Sequence, residues 1–253
     1  AAVHCVIVGF GLQDVAEKTI FEYADIKGEA LAVPVSNINP YLVDAPDLVL
    51  EKRNQPICIV PTISYGSMAN DDGHLLLDKE QRNALIAAEP ATAPYIRRYM
   101  GAQEFLNNAE RWCLWLKDIS PSLMRSSNEL RHRIEAVRKF RASSNREATR
   151  NLAATPSLFG EDRQPLKSYL LLPKVSSENR PYMPIGFMPS EVIANGSALT
   201  ISDSGHYEMG VLQSKMHMAW MRAVAGRMKS DYQYSAQIVY NNFPWPDLPE
   251  KLE

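Results

Sequence analysis

Cysteine is scarce in this chain and never paired in sequence. Cys5, Cys58 and Cys113 lie 53 and 55 residues apart, with no Cys-x-x-Cys and no clustering of the five histidines. Neither a zinc site nor a disulfide framework is encoded by that spacing, and the three residues read as buried thiols of a cytoplasmic protein. No apolar run approaches the roughly 18 residues of a membrane span. Ala1 to Gly11 also lacks the charged opening of a signal peptide. The expectation is a soluble protein without a membrane partner. A glycine-rich loop between a strand and a helix is missing too, so no cofactor cradle is recognisable. Asp71, Asp72 and His74 have neither the ligand number nor the spacing of a metal site.

What is present suffices for a packed core: 253 residues, 45% hydrophobic, enough for one large domain or two small ones. The formal charge of -2 is unevenly spread. Residues 1–124 carry 10 basic and 16 acidic side chains, whereas residues 125–253 carry 17 and 13. A surface that meets a polyanion therefore belongs to the second half. The chain opens on Ala1 and moves at once into an apolar run, which leads us to expect a piece of a longer polypeptide.

Val3 to Phe10 is β-branched and continuous, the pattern of a strand buried on both faces. The pieces FEYADI and EALAVPV within residues 20–36 read as short strands, and Asn39 to Pro46 as a turn-rich connection. Asn39-Pro40-Tyr41 resembles a degenerate form of the Asn/Asp-Pro-Pro-Tyr/Phe motif of amino-methyltransferases, in which an aromatic ring stacks on a flipped base, but one proline is missing. Residues 56–77 predict a strand, PICIVPTI, then a polar loop and LLL. Asp78 with Gln81 forms a capping box for a helix to about Ala88. Asn107-Asn108 predicts a hairpin turn, and Trp112 and Trp115 predict core.

From Pro121 to Arg150 the chain has eight Arg/Lys against three Glu. Leu130, Ile134, Val137 and Phe140 predict the buried stripe of one long amphipathic helix. Arg131, Arg138 and Lys139 face away from it, as a solvated face or as phosphate contacts along a duplex. Residues 165–201 read as strands, with the polar loop Ser176, Ser177, Glu178, Asn179, Arg180 between them and a tight turn at Asn195-Gly196-Ser197.

The stretch Gly210 to Pro246 begins as a helix. Between Val211 and Met228, Leu212, Met216, Ala219, Trp220 and Ala223 recur at helical spacing, and Lys215, Arg222 and Lys229 form a cationic stripe. Then Arg227, Lys229, Ser230, Asp231, Tyr232, Gln233, Tyr234 and Ser235 supply a dense run of donors and acceptors. Two readings stay open. The run is a base-reading surface, or Lys229 answers a helix dipole while Tyr232 and Tyr234 pack as strand residues.

The phrases AAVHCVIVGF, YGSMANDDGHLLL, YIRRYMGAQEFLNN with RWCLWL, YLLLPKVSSENRPYMPIGF, and GVLQSKMHMAWMRAVAGRMKSDYQYS with VYNNFPWP together resemble the target-recognition region of the MmeI-like type II restriction-modification proteins and related adenine-specific DNA methyltransferases. The resemblance covers nearly the whole chain. It implies a mixed α+β target-recognition domain over residues 37–253. Residues 1–36 would be the tail of a class I methyltransferase domain and a linker, with Val3 to Phe10 its closing strand. It further implies double-stranded DNA and that upstream domain as partners. S-adenosylmethionine would be the cofactor of the parent protein, with neither cofactor nor catalytic residue in this chain. By the same resemblance the sequence-reading positions fall at Lys174, Gly196, Ser197, Lys229, Asp231 and Gln233. The chemistry of the last group agrees: Lys donates to guanine O6 and N7, Asp accepts from cytosine N4, and Gln pairs twice with adenine. Phosphate contacts are expected from Arg131, Arg138, Lys139, Lys215, Arg222, Arg180, Ser176 and Ser177. The rival expectations are a complete methyltransferase using Asn39-Pro40-Tyr41 and a protein-interaction module with a basic helix.

Overall fold

In the computed structural model, residues 6–25 and 27–247 are described. Cys5 and most of the first apolar phrase's opening lie outside them. The chain runs β1 (Lys18–Glu22), β2 (Leu31–Val35), β3 (Ile63–Tyr65), β4 (Leu76–Leu77), α1 (Lys79–Ala88), β5 (Ile96–Met100), α2 (Ala102–Asn107), β6 (Trp112–Leu114), α3 (Pro121–Ser126), α4 (Asn128–Ala142) and α5 (Glu147–Asn151). It continues through β7 (Tyr169–Pro173), β8 (Val175–Ser176), β9 (Gly186–Met188), β10 (Ile193–Ala194), β11 (Ala198–Ile201), α6 (His206–Leu212), α7 (Lys215–Val224), β12 (Gly226–Met228), β13 (Asp231–Gln233) and a π turn at Ala236–Tyr240. The strands pair as β1-β2, β10-β5-β6-β4, β3-β11-β7-β9 and β12-β13-β8. All pairings are antiparallel except β10 with β5. The class is mixed α+β, as expected.

The run YLLLP explains how these sheets are joined. Every residue of β7 is buried, and successive side chains of a strand point to opposite faces. Leu170 and Leu172 enter one core with Leu199, Met218, Met221, Tyr232, Tyr234 and Phe243. Tyr169 and Leu171 enter another with Met100, Ala194 and Ala198. A third core holds Leu75, Leu77, Trp112, Cys113, Leu114, Leu130, Ile134 and Val137. Burial pushes the Cys113 thiol far up in pKa, which leaves it an inert core residue.

Several expectations are corrected. Val6 to Phe10 form no strand and are exposed, Ile7 at 98% and Phe10 at 97%. A lone apolar strand has no ladder to satisfy its N–H and C=O groups. Residues 56–62 are not a strand either, because Pro56 and Pro61 remove ladder donors. The neighbouring backbone instead bonds to the C-terminal region, Arg53 N to Gln237 O at 3.1 Å and Ile57 N to Asn241 O at 2.9 Å. The expected hairpin at Asn107-Asn108 is the end of α2, with Asn108 as its left-handed cap at φ 51°.

The two long helices are broken. Ser127 caps α4 by accepting from Leu130 N, and the Glu89 carboxylate accepts from Asn128 N and Glu129 N. Ser214 caps α7 by accepting from His217 N, so α6 and α7 have different buried faces. The face of α7 that enters the core carries His217, Met218 and Met221, while Met216 is 51% exposed. On α4 the fourth buried position is Arg141 rather than Phe140.

Asn39-Pro40-Tyr41 is also corrected. Asn39 is buried and its Oδ1 accepts from Tyr41 N at 2.9 Å and Val43 N at 3.3 Å. The Tyr41 hydroxyl accepts from Leu50 N at 2.8 Å. The tripeptide closes its own turn, and its side chains are engaged there.

Candidate nucleic-acid interface

The residues singled out at the C-terminal end form a hairpin. β12 pairs with β13, Met228 opposite Asp231, so Lys229 and Ser230 are a two-residue loop. Lys229 adopts φ 58°, a left-handed conformation costing a side-chain-bearing residue roughly 1 kcal/mol or more. Strand alternation then sorts the side chains. Tyr232 and Tyr234 are buried at 5% and 2% exposure. Asp231 and Gln233 lie on the other face, half-buried and exposed respectively, and Lys229 is exposed at the tip. Among the described residues, none of the Lys229, Asp231 and Gln233 side chains makes a hydrogen bond or an ion pair, so their polar groups are available to a ligand. The alternatives left open by the sequence therefore coexist: the tyrosines pack as strand residues, and the residues between them face outward.

The buried face is anchored by chemistry absent from the motif reading. Tyr234 and His217, the latter wholly buried, meet with Nε2 3.0 Å from the hydroxyl. Burial lowers the His217 pKa to about 4, so the ring is neutral. Arg227 lies 3.9 Å over the Tyr232 ring and donates to Ser230 O at 2.9 Å, which braces the loop.

A second cluster surrounds the turn at Asn195-Gly196-Ser197. Lys174 Nζ donates to Gly196 O at 3.3 Å and lies 4.7 Å from the Tyr65 ring centre, while its backbone N donates to Ser197 O at 3.1 Å. Asn195 Oδ1 accepts from Ser197 N and Oγ, and Ser197 Oγ accepts from Ala102 N. The turn connects two sheets rather than two hairpin strands, a difference from the expected hairpin. Gly66 is required beside it, since a Cβ there would collide with the Asn195 carbonyl. Next to the turn is a groove of about 410 Å³, whose wall includes Met68, Asn70, Tyr99, Gln103 and Arg111. Tyr65 and Met68 border this cluster, and in the sequence nothing marks them beyond their place in the phrase YGSM.

The structure joins the two clusters. Tyr234 N donates to Lys174 O at 2.7 Å, and Gln233 pairs with Val175 of β8. Other candidates are more dispersed. Arg131, Arg138 and Lys139 lie exposed on α4, with Arg131 donating to Asn128 and Arg138 3.7 Å from Glu135. Lys215 and Arg222 lie exposed on α7, while Lys229 has left the helix and shares no stripe with them. Ser177 and Arg180 are half-buried in the loop after β8. Ser176, at 3% exposure opposite Tyr232, faces the core and offers no surface to phosphate.

One basic residue of the 121–150 block has a purely internal role. Arg141 is wholly buried and donates to five carbonyls: Nε to Asn70, Nη1 to Leu152 and Thr155, Nη2 to Ala69 and Leu158. All five guanidinium N–H groups are used, which fixes the loop that carries Met68 and Asn70 to α4.

The sequence profile described as MmeI, target recognition domain, matches residues 44–247. The chain belongs to the MmeI target recognition domain family. A solved structure of the type IIL restriction-modification enzyme MmeI in complex with DNA superposes on it with a TM-score of 0.93 at 47% identity, over 99% of this chain and 34% of that one. DNA methyltransferase A of Bacillus subtilis (strain 168) is 37% identical over 248 residues, 98% of this chain and 28% of that protein. The chain thus spans about a third or less of either relative. Among the described residues no helix is long and apolar enough to cross a membrane, and no group of three or more His, Cys, Asp or Glu is placed to hold a metal.

Proposed function

We propose that this chain reads a short sequence in double-stranded DNA and presents an adenine within it to the catalytic domain of an S-adenosylmethionine-dependent methyltransferase that acts in the cytoplasm. Residues 37–253 form the recognition unit. Residues 1–36, with the exposed apolar side chains Val6, Ile7, Val8 and Phe10, are the tail of that catalytic domain and the linker from it. The observation that carries the reading is the hairpin: Tyr232 and Tyr234 anchor one face while Lys229, Asp231 and Gln233 stand unengaged on the other. Likeness to a protein solved in complex with DNA supports DNA as the partner.

Lys229 and Asp231 are complementary to a single G·C pair, the ammonium donating to guanine O6 and N7 and the carboxylate accepting from cytosine N4. Such a pair of contacts is worth roughly 1–3 kcal/mol of discrimination. Gln233 serves a neighbouring base, and Lys174, Gly196 and Ser197 read from the second cluster. Arg131, Arg138, Lys139, Lys215, Arg222, Arg180 and Ser177 contact phosphates, which position the domain without specifying sequence.

The test is the methylated motif, read genome-wide in cells carrying the full-length enzyme, for wild type and for Lys229→Glu with Asp231→Arg. Exchange of G for C at one position of the motif is expected. An unchanged motif with methylation intact would show that the hairpin does not read bases.

A further inference from the structure

The outer face of the hairpin carries one apolar side chain beside the polar Lys229, Asp231 and Gln233. Met228 is directly opposite Asp231 and is 52% exposed. Residues directly paired across an antiparallel ladder project to the same side, with Cβ atoms about 4.5–5.5 Å apart. The neighbouring pair fixes the phase independently: Arg227 and Tyr232 are opposite each other, and the guanidinium lies 3.9 Å over the ring on the other face. Gly226, opposite Gln233, adds no side chain. The outward surface is therefore Met228 and Asp231 side by side, the Lys229 ammonium at the tip and Gln233 beyond.

A thioether in that place meets whatever lies beside the group that Asp231 contacts. In the major groove the atom next to a cytosine N4 edge is pyrimidine C5, and the only apolar substituent any base presents there is the C5-methyl of thymine. Methionine is unbranched and adaptable, suited to covering such a group across a small range of positions. Lys, Asp and Gln have no apolar end with which to do so.

We propose that Met228 is a specificity-determining residue that packs on the C5 position of a pyrimidine within one base step of the pair Asp231 reads, and favours a methyl group there. This rests on the reading of Lys229 and Asp231 as base contacts. The side chain is exposed, so its truncation leaves the fold intact.

The test uses the full-length enzyme on duplexes that carry its methylated motif. Each thymine in the motif and two pairs either side is replaced in turn by deoxyuridine, and each cytosine by 5-methylcytosine. Methylation is measured as kcat/KM for wild type, Met228→Ala, Met228→Leu and Asp231→Ala. At one position the methyl group is expected to change the wild-type rate about fourfold, the factor for burying one such group. Met228→Ala abolishes that response and Met228→Leu retains it. Identical responses of wild type and Met228→Ala at every position, with Asp231→Ala still relaxing the motif, overturn the proposal and leave the hairpin reading standing. An unchanged motif in Asp231→Ala overturns both.

Discussion

His217 Nε2 lies 3.0 Å from the Tyr234 hydroxyl, and this buried pair ties α7 to the residue that follows the outward-facing Asp231 and Gln233. The His217 pKa falls to about 4 by burial, from an ordinary 6.5. The unfolded chain thus takes up a proton as pH drops below 6.5, while the folded chain resists until about 4. Stability is full above the unfolded value and declines across that window, by about 3 kcal/mol in total. Urea unfolding at pH 7, 6, 5 and 4 measures the slope, and in His217→Asn this component of the pH dependence should vanish. An equal slope in both proteins would assign the acid sensitivity to other groups.

Lys229 holds a left-handed backbone conformation at the hairpin tip. Glycine adopts it without steric cost, so Lys229→Gly is expected to leave the stability unchanged or raise it by up to about 1 kcal/mol. The same substitution removes the ammonium, and discrimination at its base pair should fall roughly 5- to 150-fold. Thermal unfolding together with the methylated motif separates the two effects. Loss of stability would mean that the side chain, not the backbone, holds the loop.

Arg141 is a staple, and its five carbonyl partners depend on it. Arg141→Met leaves those carbonyls without a donor, at an expected cost of roughly 3 kcal/mol or more. Arg141→Lys keeps the charge but has three donors in place of five in a planar fork. It should recover less than half of the loss. Denaturant midpoints of the three proteins decide the matter.

Replacing Arg131, Arg138 and Lys139 together by Gln removes three exposed cations from α4. If all three contact phosphate, the slope of log affinity against log salt should drop by about 2.7 on duplex DNA. Sequence preference should be unaffected. Arg133 offers a control: Glu129 at 2.7 Å and the His74 carbonyl at 2.9 Å already occupy it. Its substitution should change stability and leave the salt slope alone. A steep slope retained by the triple variant would move the phosphate contacts to Lys215, Arg222 and Arg180.

Local features were legible before any tertiary contact was known. The box of Asp78 with Gln81 starts α1 as expected, because a cap is made within four residues. The buried strand YLLLP is likewise recognisable, since a fully apolar run has no face to give to water. The α4 stripe held for Leu130, Ile134 and Val137 and failed at Phe140, whose place in the core is taken by Arg141. Nothing in the local pattern marks an arginine that will be buried, because the five carbonyls that satisfy it come from segments up to 72 residues away. The α7 stripe failed for a related reason: a serine cap split the helix and rotated its buried face onto His217.

By itself, the sequence determined the mixed α+β class, the absence of clustered metal-ligand spacing, the side chains with base-reading chemistry and, through long shared phrases, the family. Only the tertiary structure decided which of those side chains face outward. Tyr232 and Tyr234 turn inward because His217, Phe243 and the leucines of β7 offer them a dry core. Strand alternation then leaves Asp231 and Gln233 no other direction than away from it. Ser176 was lost to the core by the same pairing that set Gln233 beside Val175. Burial is a property of the partners across a ladder, and those partners lie too far along the chain for any local pattern to name them.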